Sequence, residues 1–175
     1  MTDIAIERIR NASDEIVNGL TGLLVDAVDS GAGVSFMAGL QSDEANAWWR
    51  KTLSASPSRA VILVARDDQG IVGTVQMQPS WAPNQPHRGD VTKLIVHRRG
   101  RRKGVARALM RELERYALEE KISLLLLDTC EGTPAERLYS SLGWSRVGVV
   151  PNFALNPDGS PCDTVFLYKQ LGMGT

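Results

Sequence analysis

The sequence predicts one α/β domain in which a single sheet is flanked by helices. The chain has 175 residues, of which 43% are hydrophobic, and this is enough to bury one core without disulfides or metals. Apolar residues recur at helical spacing in some segments and alternate in others, which predicts the order β-α-α-β-β-β-α-β-α-β-β. No repeat, low-complexity tract or linker interrupts residues 1–175, so we expect one domain.

The first three elements follow from apolar spacing. Alternation over residues 4–9 predicts a short strand, and a helix follows to about Asp29 with Asn11 or Ser13 as its N-cap. A second helix is predicted over residues 42–53. Acidic residues in its first turn suit the positive end of a helix.

Three strands occupy the middle of the sequence. Residues 60–66 and 71–78 are rich in β-branched residues, and the polar turn 67–70 between them predicts a hairpin. Segment 79–89 contains several prolines and predicts a surface loop, because proline cannot continue a ladder of hydrogen bonds. The loop leads into a fourth strand over residues 90–96.

The second half of the chain alternates helices and strands. Residues 105–120 have the clearest helical spacing in the sequence. Residues 122–128 are nearly all apolar, which is typical of a strand covered on both faces. A short helix over residues 134–142 and two strands, 144–150 and 164–169, complete the predicted fold.

Charge and cysteine content argue against a nucleic-acid-binding protein, a secreted disulfide-rich protein and a metalloprotein. The 20 basic and 20 acidic residues give zero formal charge, so the chain has no general attraction to nucleic acid or membranes. Cys130 and Cys162 form neither a disulfide framework nor a metal-spaced cluster, so we expect reduced thiols, a cytoplasmic protein and no metal. Charges are dispersed near the N-terminus and no apolar run reaches bilayer length, so we expect no signal peptide or membrane span.

A basic, glycine-containing turn links the fourth strand to the long helix. Its residues are Arg101-Arg102-Lys103-Gly104-Val105-Ala106. The first N–H groups of a helix have no partner within the helix, so a turn at this place suits a pyrophosphate. A solvated basic turn and a nucleic-acid patch are the alternatives, but no aromatic residues interleave with the basic ones. The GxxxxGK[ST] pattern of a P-loop is absent.

Two motifs in the chain resemble those of the GNAT superfamily of N-acetyltransferases. Asp90-Val-Thr-Lys-Leu-Ile-Val followed by Arg101-x-x-Gly-x-Ala resembles the acetyl-CoA signature, and Ala135-Glu-Arg-Leu-Tyr-Ser-Ser-Leu-Gly-Trp resembles the later A-x-x-L-Y-x-x-L-G-[FW] motif. Segments 31–40 and 152–159 resemble the tabtoxin-resistance-type branch. His97-Arg98 in place of x-Pro, and Gly132 in place of Asn, depart from the common pattern and imply a slightly different pantetheine contact.

The resemblance implies a fold and a cofactor. The fold is a mixed, mostly antiparallel sheet of roughly six to seven strands with about four helices, splayed between strands four and five. The co-substrate is acetyl-CoA, with no metal. A main-chain N–H of residues 94–96 is expected to meet the developing oxyanion. The implied cofactor-binding residues are Leu94, Ile95, Val96, Arg101, Arg102, Lys103, Gly104, Val105, Ala106 and Ala135.

The resemblance also implies catalytic roles for two residues, and a third, Asp128, is a candidate substrate contact because it ends an apolar strand. Tyr139 is expected to donate to the leaving thiolate, since its ordinary pKa of about 10 lies above that of a thiol. Asp90 is the expected base, directly or through water, and Asp128 is expected to bind the substrate ammonium. Each has a structural alternative: packing of a tyrosine on an amphipathic helix, or a solvated or paired carboxylate at a strand.

Aromatic residues are expected around the acceptor. The resemblance implies that Phe36 and Trp81 are substrate contacts. Adjacent Trp48 and Trp49 cannot share one helix face, so we expect at least one of them to be peripheral or at a subunit contact. Both histidines of the chain, His87 and His97, are expected to be exposed to solvent.

The leading hypothesis is acetylation of a primary amine of a small molecule, an amino-acid-like toxin or antibiotic, by a bacterial resistance or detoxification enzyme. Protein or aminoglycoside acetylation and a non-catalytic acyl-CoA sensor are the alternatives. A nucleic-acid-binding module is disfavoured by the neutral charge balance. A homodimer is consistent with the resemblance.

Overall fold

One seven-stranded sheet runs through the computed structural model, which describes residues 4–172. The predicted order of elements is confirmed. The strands are β1 (Ala5–Arg8), β2 (Val61–Asp67), β3 (Gly70–Pro79), β4 (Arg88–Val96), β5 (Leu124–Cys130), β6 (Ser145–Leu155) and β7 (Pro161–Gln170). The helices are α1 (Asp14–Asp29), α2 (Ser42–Ser54), α3 (Val105–Glu119) and α4 (Pro134–Ser141).

The sheet is mixed and splayed, as predicted. Its strand order is β1-β2-β3-β4-β5-β7-β6, and β4 and β5 form its parallel pair. That pairing covers only Arg88 to Asp90 on β4 and Leu124 to Leu126 on β5. Beyond Asp90 the two strands diverge, so the side of β4 that faces β5 has no strand partner there. The gap between the strands opens toward the start of α3.

Helices cover the two faces of the sheet unequally. One core lies between the sheet and α3 and includes Tyr139 and Trp144 at α4. A second core lies under α1 and α2 and contains Trp49, with packing against β3 and β4. Helix α1 begins at the N-cap Ser13, whose hydroxyl accepts from the Ile16 N–H, as predicted. No helix within residues 4–172 has the length and apolarity that crossing a bilayer requires.

The apolar strand β5 is covered on one face only, which corrects the expectation of cover on both. Leu125 and Leu127 are buried against α3, whereas Leu124 and Leu126 are half-buried and Asp128 is exposed. The cause is that α1 packs over β3 and β4, with α2 packed on α1, and neither helix makes a comparable contact with β5 within residues 4–172. Asp128 therefore lies on an accessible face, beside the gap between β4 and β5.

Several strand boundaries lie outside the predicted ranges. Strand β4 begins at Arg88 rather than Asp90, and Pro79 ends β3 instead of opening a loop. Strands β6 and β7 extend to Leu155 and from Pro161 respectively. A proline at the first or last position of a strand interrupts no central ladder bond, so a strand can include a proline as its terminal residue.

The two cysteines form a disulfide, so the expectation of reduced thiols is wrong for this structure. Cys130 ends β5 and Cys162 lies at the start of β7, with their Cα atoms 5.9 Å apart. The register pairs Cys130 with Thr164, which brings Cys162 within reach across neighbouring strands. A separation of 32 residues hid this contact from the sequence, because only strand pairing creates it.

Removing the disulfide is expected to lower stability. For a loop of this length, chain entropy predicts a loss of about 3–4 kcal/mol in the free energy of unfolding. Urea unfolding of the wild type with and without reductant measures the difference, and the double variant Cys130→Ser/Cys162→Ser is the control that reductant should not affect. A wild-type midpoint unchanged by complete reduction would contradict the expectation.

Candidate active site

The N-terminus of α3 presents backbone donors that have no partner in the helix. Helix α3 begins at Val105, and the first intrahelical bond runs from the Ala108 N–H to the Gly104 carbonyl at 3.0 Å. No side chain caps this end. Gly104 has a φ of 82°, a left-handed conformation that favours glycine and turns the chain sharply into the helix. The N–H groups of residues 105–107 are thus available to an anion.

The basic residues near this turn fall into two groups. Arg98 pairs with Asp26, and the Arg99 guanidinium donates to Asp67 at 3.1 Å, so these two residues tie the turn to α1 and to the β2–β3 hairpin. Hydrogen bonds from Arg99 lower the pKa of Asp67. Residues 101–103 are exposed and form no ion pair with a carboxylate of residues 4–172. Their three charges remain available to a ligand.

The two histidines differ in exposure. His87 is exposed, as predicted, but His97 is half-buried, which corrects the expectation for that residue. The His97 Nδ1 accepts from the Arg99 N–H at 3.1 Å. Burial lowers the pKa of His97 although Asp26 opposes the effect, so its imidazole is neutral at pH 7 and holds the turn in shape.

A bulge interrupts β4 where it leaves β5. Thr74 pairs with Ile95 and Gln76 pairs with Thr92, so Lys93 and Leu94 together oppose a single residue of β3. Lys93 has a φ of 54°. The bulge changes the direction of the main chain immediately before residues 94–96, the segment predicted to face the oxyanion.

Tyr139 lies at the edge of the core under the splayed strands. Its ring is 6% exposed and packs against Trp144 with ring centroids 5.8 Å apart. Its hydroxyl makes no hydrogen bond to any residue of the described part of the chain. Burial and the nearby Asp128 carboxylate raise the pKa of Tyr139 well above its ordinary value. Ala135, one turn earlier on α4, packs against the same core.

The two predicted carboxylates have different surroundings. Asp90 accepts a hydrogen bond from the Arg88 guanidinium at 3.2 Å. Asp128 has no ion pair within residues 4–172, and its pKa is raised by partial burial, opposed by Lys93 and reinforced by repulsion from Asp90. Solvent still reaches Asp128, so the cost of burying its charge is limited. Asp128 is therefore the carboxylate that is free to receive a cation or a proton.

Sequence reasoning missed Lys93. Its Nζ donates to the Val34 carbonyl at 3.1 Å and to the Ser35 hydroxyl at 2.8 Å, and it lies 5.4 Å from the Trp48 ring centroid and 6.0 Å from that of Phe36. Burial lowers the pKa of Lys93, whereas the charge of Asp128 raises it. The available signal was a lysine within the apolar end of a strand, a place where charge is rarely left without a purpose.

The aromatic residues divide into core and pocket. Trp49 is fully buried under α1, whereas Trp48 is partly exposed and meets Phe36 edge to face at 5.4 Å, which confirms that the adjacent pair cannot share one face. Phe36 thus lies beside Lys93. Trp81 is 90% exposed in the β3–β4 loop and joins none of the aromatic contacts found among residues 4–172, so the structure does not bring it to the other site residues.

A family model describing the acetyltransferase (GNAT) family matches residues 31–144. The chain belongs to this family. The matched range runs from the loop that holds Phe36, through the splayed strands and α3, to the end of the α4 motif. It therefore includes the elements that carry the basic turn, Lys93, Asp128 and Tyr139.

Solved acetyltransferases share the fold over nearly the full length. Ribosomal-protein-alanine N-acetyltransferase from Brucella melitensis matches with a TM-score of 0.77 and 21% identity, covering 95% of this chain and 99% of that one. A structure named as a phosphinothricin N-acetyltransferase gives 0.80 at 18% identity, covering 97% and 99%. The yncA protein of Salmonella typhimurium, solved with its cofactor acetyl-CoA, gives 0.77 at 18% identity, covering 98% and 96%.

Membership of the family makes this acetyltransferase an enzyme that uses acetyl-CoA as acetyl donor. The local structure fits that co-substrate, because the unpartnered amides of α3 and the three exposed basic side chains match a pyrophosphate in charge and donors. No cluster of His, Cys, Asp and Glu suited to a metal occurs within residues 4–172.

Proposed function

We propose that this acetyltransferase transfers an acetyl group to the primary amine of a small, amino-acid-like toxin or antibiotic, and so serves in resistance or detoxification. The observation that carries the proposal is the position of Asp128 beside the gap between β4 and β5, where its carboxylate is accessible and pairs with no cation of residues 4–172. A carboxylate in this setting suits one ammonium group. Phe36 and Trp48 offer apolar surface beside Lys93.

The charge balance of this region favours a singly charged amine over an aminoglycoside. Arg88 offsets Asp90, and Lys93 acts on Asp128 as a neighbouring positive charge. A polycationic drug would require several uncompensated carboxylates. A ribosomal-protein acceptor, as the name of the Brucella protein describes for that protein, stays the alternative. We assign Phe36 and Asp128 to the acceptor site; Trp81 stays a predicted contact that the structure leaves apart from them.

In the proposed complex the pyrophosphate lies against the N–H groups of residues 105–107, with Arg101, Arg102 and Lys103 around it and Gly104 allowing close approach. The free side of residues 94–96 meets the pantetheine arm, and Ala135 keeps the opposite wall small. Acetyl-CoA supplies an acetyl thioester, whose C–S bond breaks as a C–N bond to the amine forms.

A carboxylate and a tyrosine hold or move protons in this proposal. Asp128 holds the ammonium, and either Asp128 or Asp90 accepts its proton; the Arg88 ion pair weakens the case for Asp90. Tyr139 donates a hydrogen bond to the departing sulfur. Because the pKa of Tyr139 is raised far above the roughly 8.5 of a thiol, its proton is shared with the sulfur instead of being fully transferred.

Cellular context and assembly are part of the same proposal. We assign the enzyme to the bacterial cytoplasm, where the Cys130–Cys162 pair would be kept reduced, and the disulfide in the structure is the observation that argues most directly against that assignment. A homodimer also stays a prediction.

An acyl-CoA sensor without turnover is the alternative from a different functional class. Release of free thiol from acetyl-CoA separates such a sensor from an enzyme.

The decisive experiment is a thiol-release assay with acetyl-CoA against amino acids, aminoglycosides and short peptides. The proposal predicts turnover with small amines bearing one ammonium group. Faster turnover with peptides or aminoglycosides would overturn the assigned acceptor, and tight cofactor binding without thiol release from any amine would identify a sensor.

The same assay tests Asp128 through its pH dependence. Asp128 must be ionised, and its pKa is raised above the ordinary carboxyl value, so kcat/KM should fall as pH drops through that raised pKa. Asp128→Asn should lower kcat/KM on the order of 100-fold and remove this acid limb. Exposed Asp29→Asn is the matched control. An Asp128→Asn enzyme with the wild-type profile would exclude the role, and a larger loss in Asp90→Asn would assign the base to Asp90.

A further inference from the structure

Lys93 is a partly buried cation without a carboxylate partner. Its Nζ bonds to two neutral oxygens, the Val34 carbonyl and the Ser35 hydroxyl, and it forms no ion pair with any residue of the range 4–172. An ammonium group has three N–H donors, so one remains after these two bonds. Burying a charge is costly unless it is paired, and contact with the Trp48 and Phe36 rings offsets only part of that cost.

The position of Lys93 is set by the bulge in β4. With a φ of 54°, the residue leaves the regular strand and its side chain reaches the loop between α1 and α2. Phe36 lies in that loop and Trp48 on α2, so one lysine joins the strand of the active site to both aromatic walls of the acceptor region. Ser35 is exposed, which leaves this side open to a ligand.

Asp128 is the complementary charge in the same region. The Lys93 and Asp128 charges act on each other, yet the two groups form no direct ion pair. The other nearby carboxylate, Asp90, is engaged by Arg88. Within residues 4–172 the acceptor region therefore presents a cation and a carboxylate that form no ion pair, and such a pair complements a ligand that carries both an ammonium and an anionic group.

We propose that Lys93, with Ser35, forms an anion subsite that binds a carboxylate of the acceptor while Asp128 binds its amine. This inference rests on the proposed function, since it specifies the acceptor further: a short zwitterion with its carboxylate close to the reacting nitrogen. The same Lys93 Nζ donates to Val34 and Ser35, so a ligand bound at Lys93 would also contact the loop between α1 and α2.

The test compares acceptors that differ only in the anion. Glycine, L-alanine and L-methionine are assayed beside their carboxamides, with wild type and Lys93→Met. Loss of a charge-assisted hydrogen bond predicts that Lys93→Met raises KM for the amino acids about 10- to 100-fold. KM for the carboxamides should change less than about 2-fold, and kcat for both should change little. Taking the ratio of variant to wild type cancels the different basicity of the two kinds of amine.

Two further variants separate recognition from folding. Lys93→Arg keeps the charge and should recover part of the affinity for amino acids. Lys51→Met, an exposed lysine on α2, should leave both KM values unchanged. If Lys93→Met raises KM for acids and carboxamides by the same factor, Lys93 only supports the loop and the anion subsite is refuted. Equal KM values for acids and carboxamides in the wild type refute it as well.

A binding measurement keeps this inference separate from the proposed function. Trp48 lies beside Lys93, so titration with the same probes is followed by tryptophan fluorescence in the absence of acetyl-CoA. Binding of the amino acids that is lost in Lys93→Met supports the subsite even if no amine is acetylated. Absence of binding in both the fluorescence and the kinetic experiments overturns it.

Discussion

Replacing Tyr139 with phenylalanine is expected to lower kcat on the order of 100-fold while the dissociation constant for coenzyme A changes less than about 2-fold. The hydroxyl has no partner among residues 4–172 and lies within electrostatic reach of Asp128, so its removal leaves the packing against Trp144 intact. Because burial raises the pKa of Tyr139, the hydroxyl stays protonated across the working range of the enzyme. The loss should therefore be the same at every pH from about 6 to 9.

Stopped-flow detection of free thiol measures this loss. Tyr116→Phe is the matched control, since the Tyr116 ring on α3 packs beneath the guanidinium groups of Arg8 on β1 and Arg115 on α3. Full activity in Tyr139→Phe would show that water or another group donates to the departing sulfur. Tyr139 would then contribute only to packing. A loss confined to high pH would instead indicate that the tyrosine ionises during turnover.

A glutamate at the start of α3 is expected to abolish cofactor binding without unfolding the protein. In Ala106→Glu the carboxylate lies among the N–H groups that we assign to the pyrophosphate, where it competes for the same donors and repels the ligand. A negative charge in the first turn of a helix is itself stabilising, so the melting temperature should hold or rise. Loss of two or more charge-assisted hydrogen bonds predicts at least about 100-fold weaker binding of coenzyme A.

Isothermal titration with coenzyme A measures this affinity. Ala47→Glu, the same substitution at an exposed position of α2, adds the same charge elsewhere and should bind coenzyme A as the wild type does. Unaltered affinity in Ala106→Glu would place the pyrophosphate somewhere else. Equal weakening in both variants would indicate a general electrostatic effect rather than a site at α3.

The parts of this enzyme that the sequence predicted well depend on local signals. The turn at Gly104 and the helix after it follow from residues that are adjacent in the chain, as does the capped helix that carries Tyr139. The hairpin between β2 and β3 is another such case. Each of these features is specified by spacing within about ten residues, which is the range over which capping and turn chemistry act.

The parts that the sequence did not predict depend on contacts between distant segments. Lys93 bonds to residues nearly sixty positions earlier, and the register of β5 and β7 is required to join Cys130 to Cys162. The open face beside Asp128 exists because the cover that α1 provides ends at β4, and the composition of a strand does not indicate how far a helix covers the sheet. Trp81 was favoured on loop position, which does not determine where an exposed side chain points.

The central claim is that the unpartnered N–H groups opening α3 bind the pyrophosphate and direct the thioester along the free side of β4. A crystal structure of the complex with coenzyme A tests it most directly. The expected result is pyrophosphate oxygens within hydrogen-bond distance of the amides of residues 105–107, with the sulfur near the Tyr139 hydroxyl. A pyrophosphate bound elsewhere, or α3 amides facing only water in the complex, would contradict it.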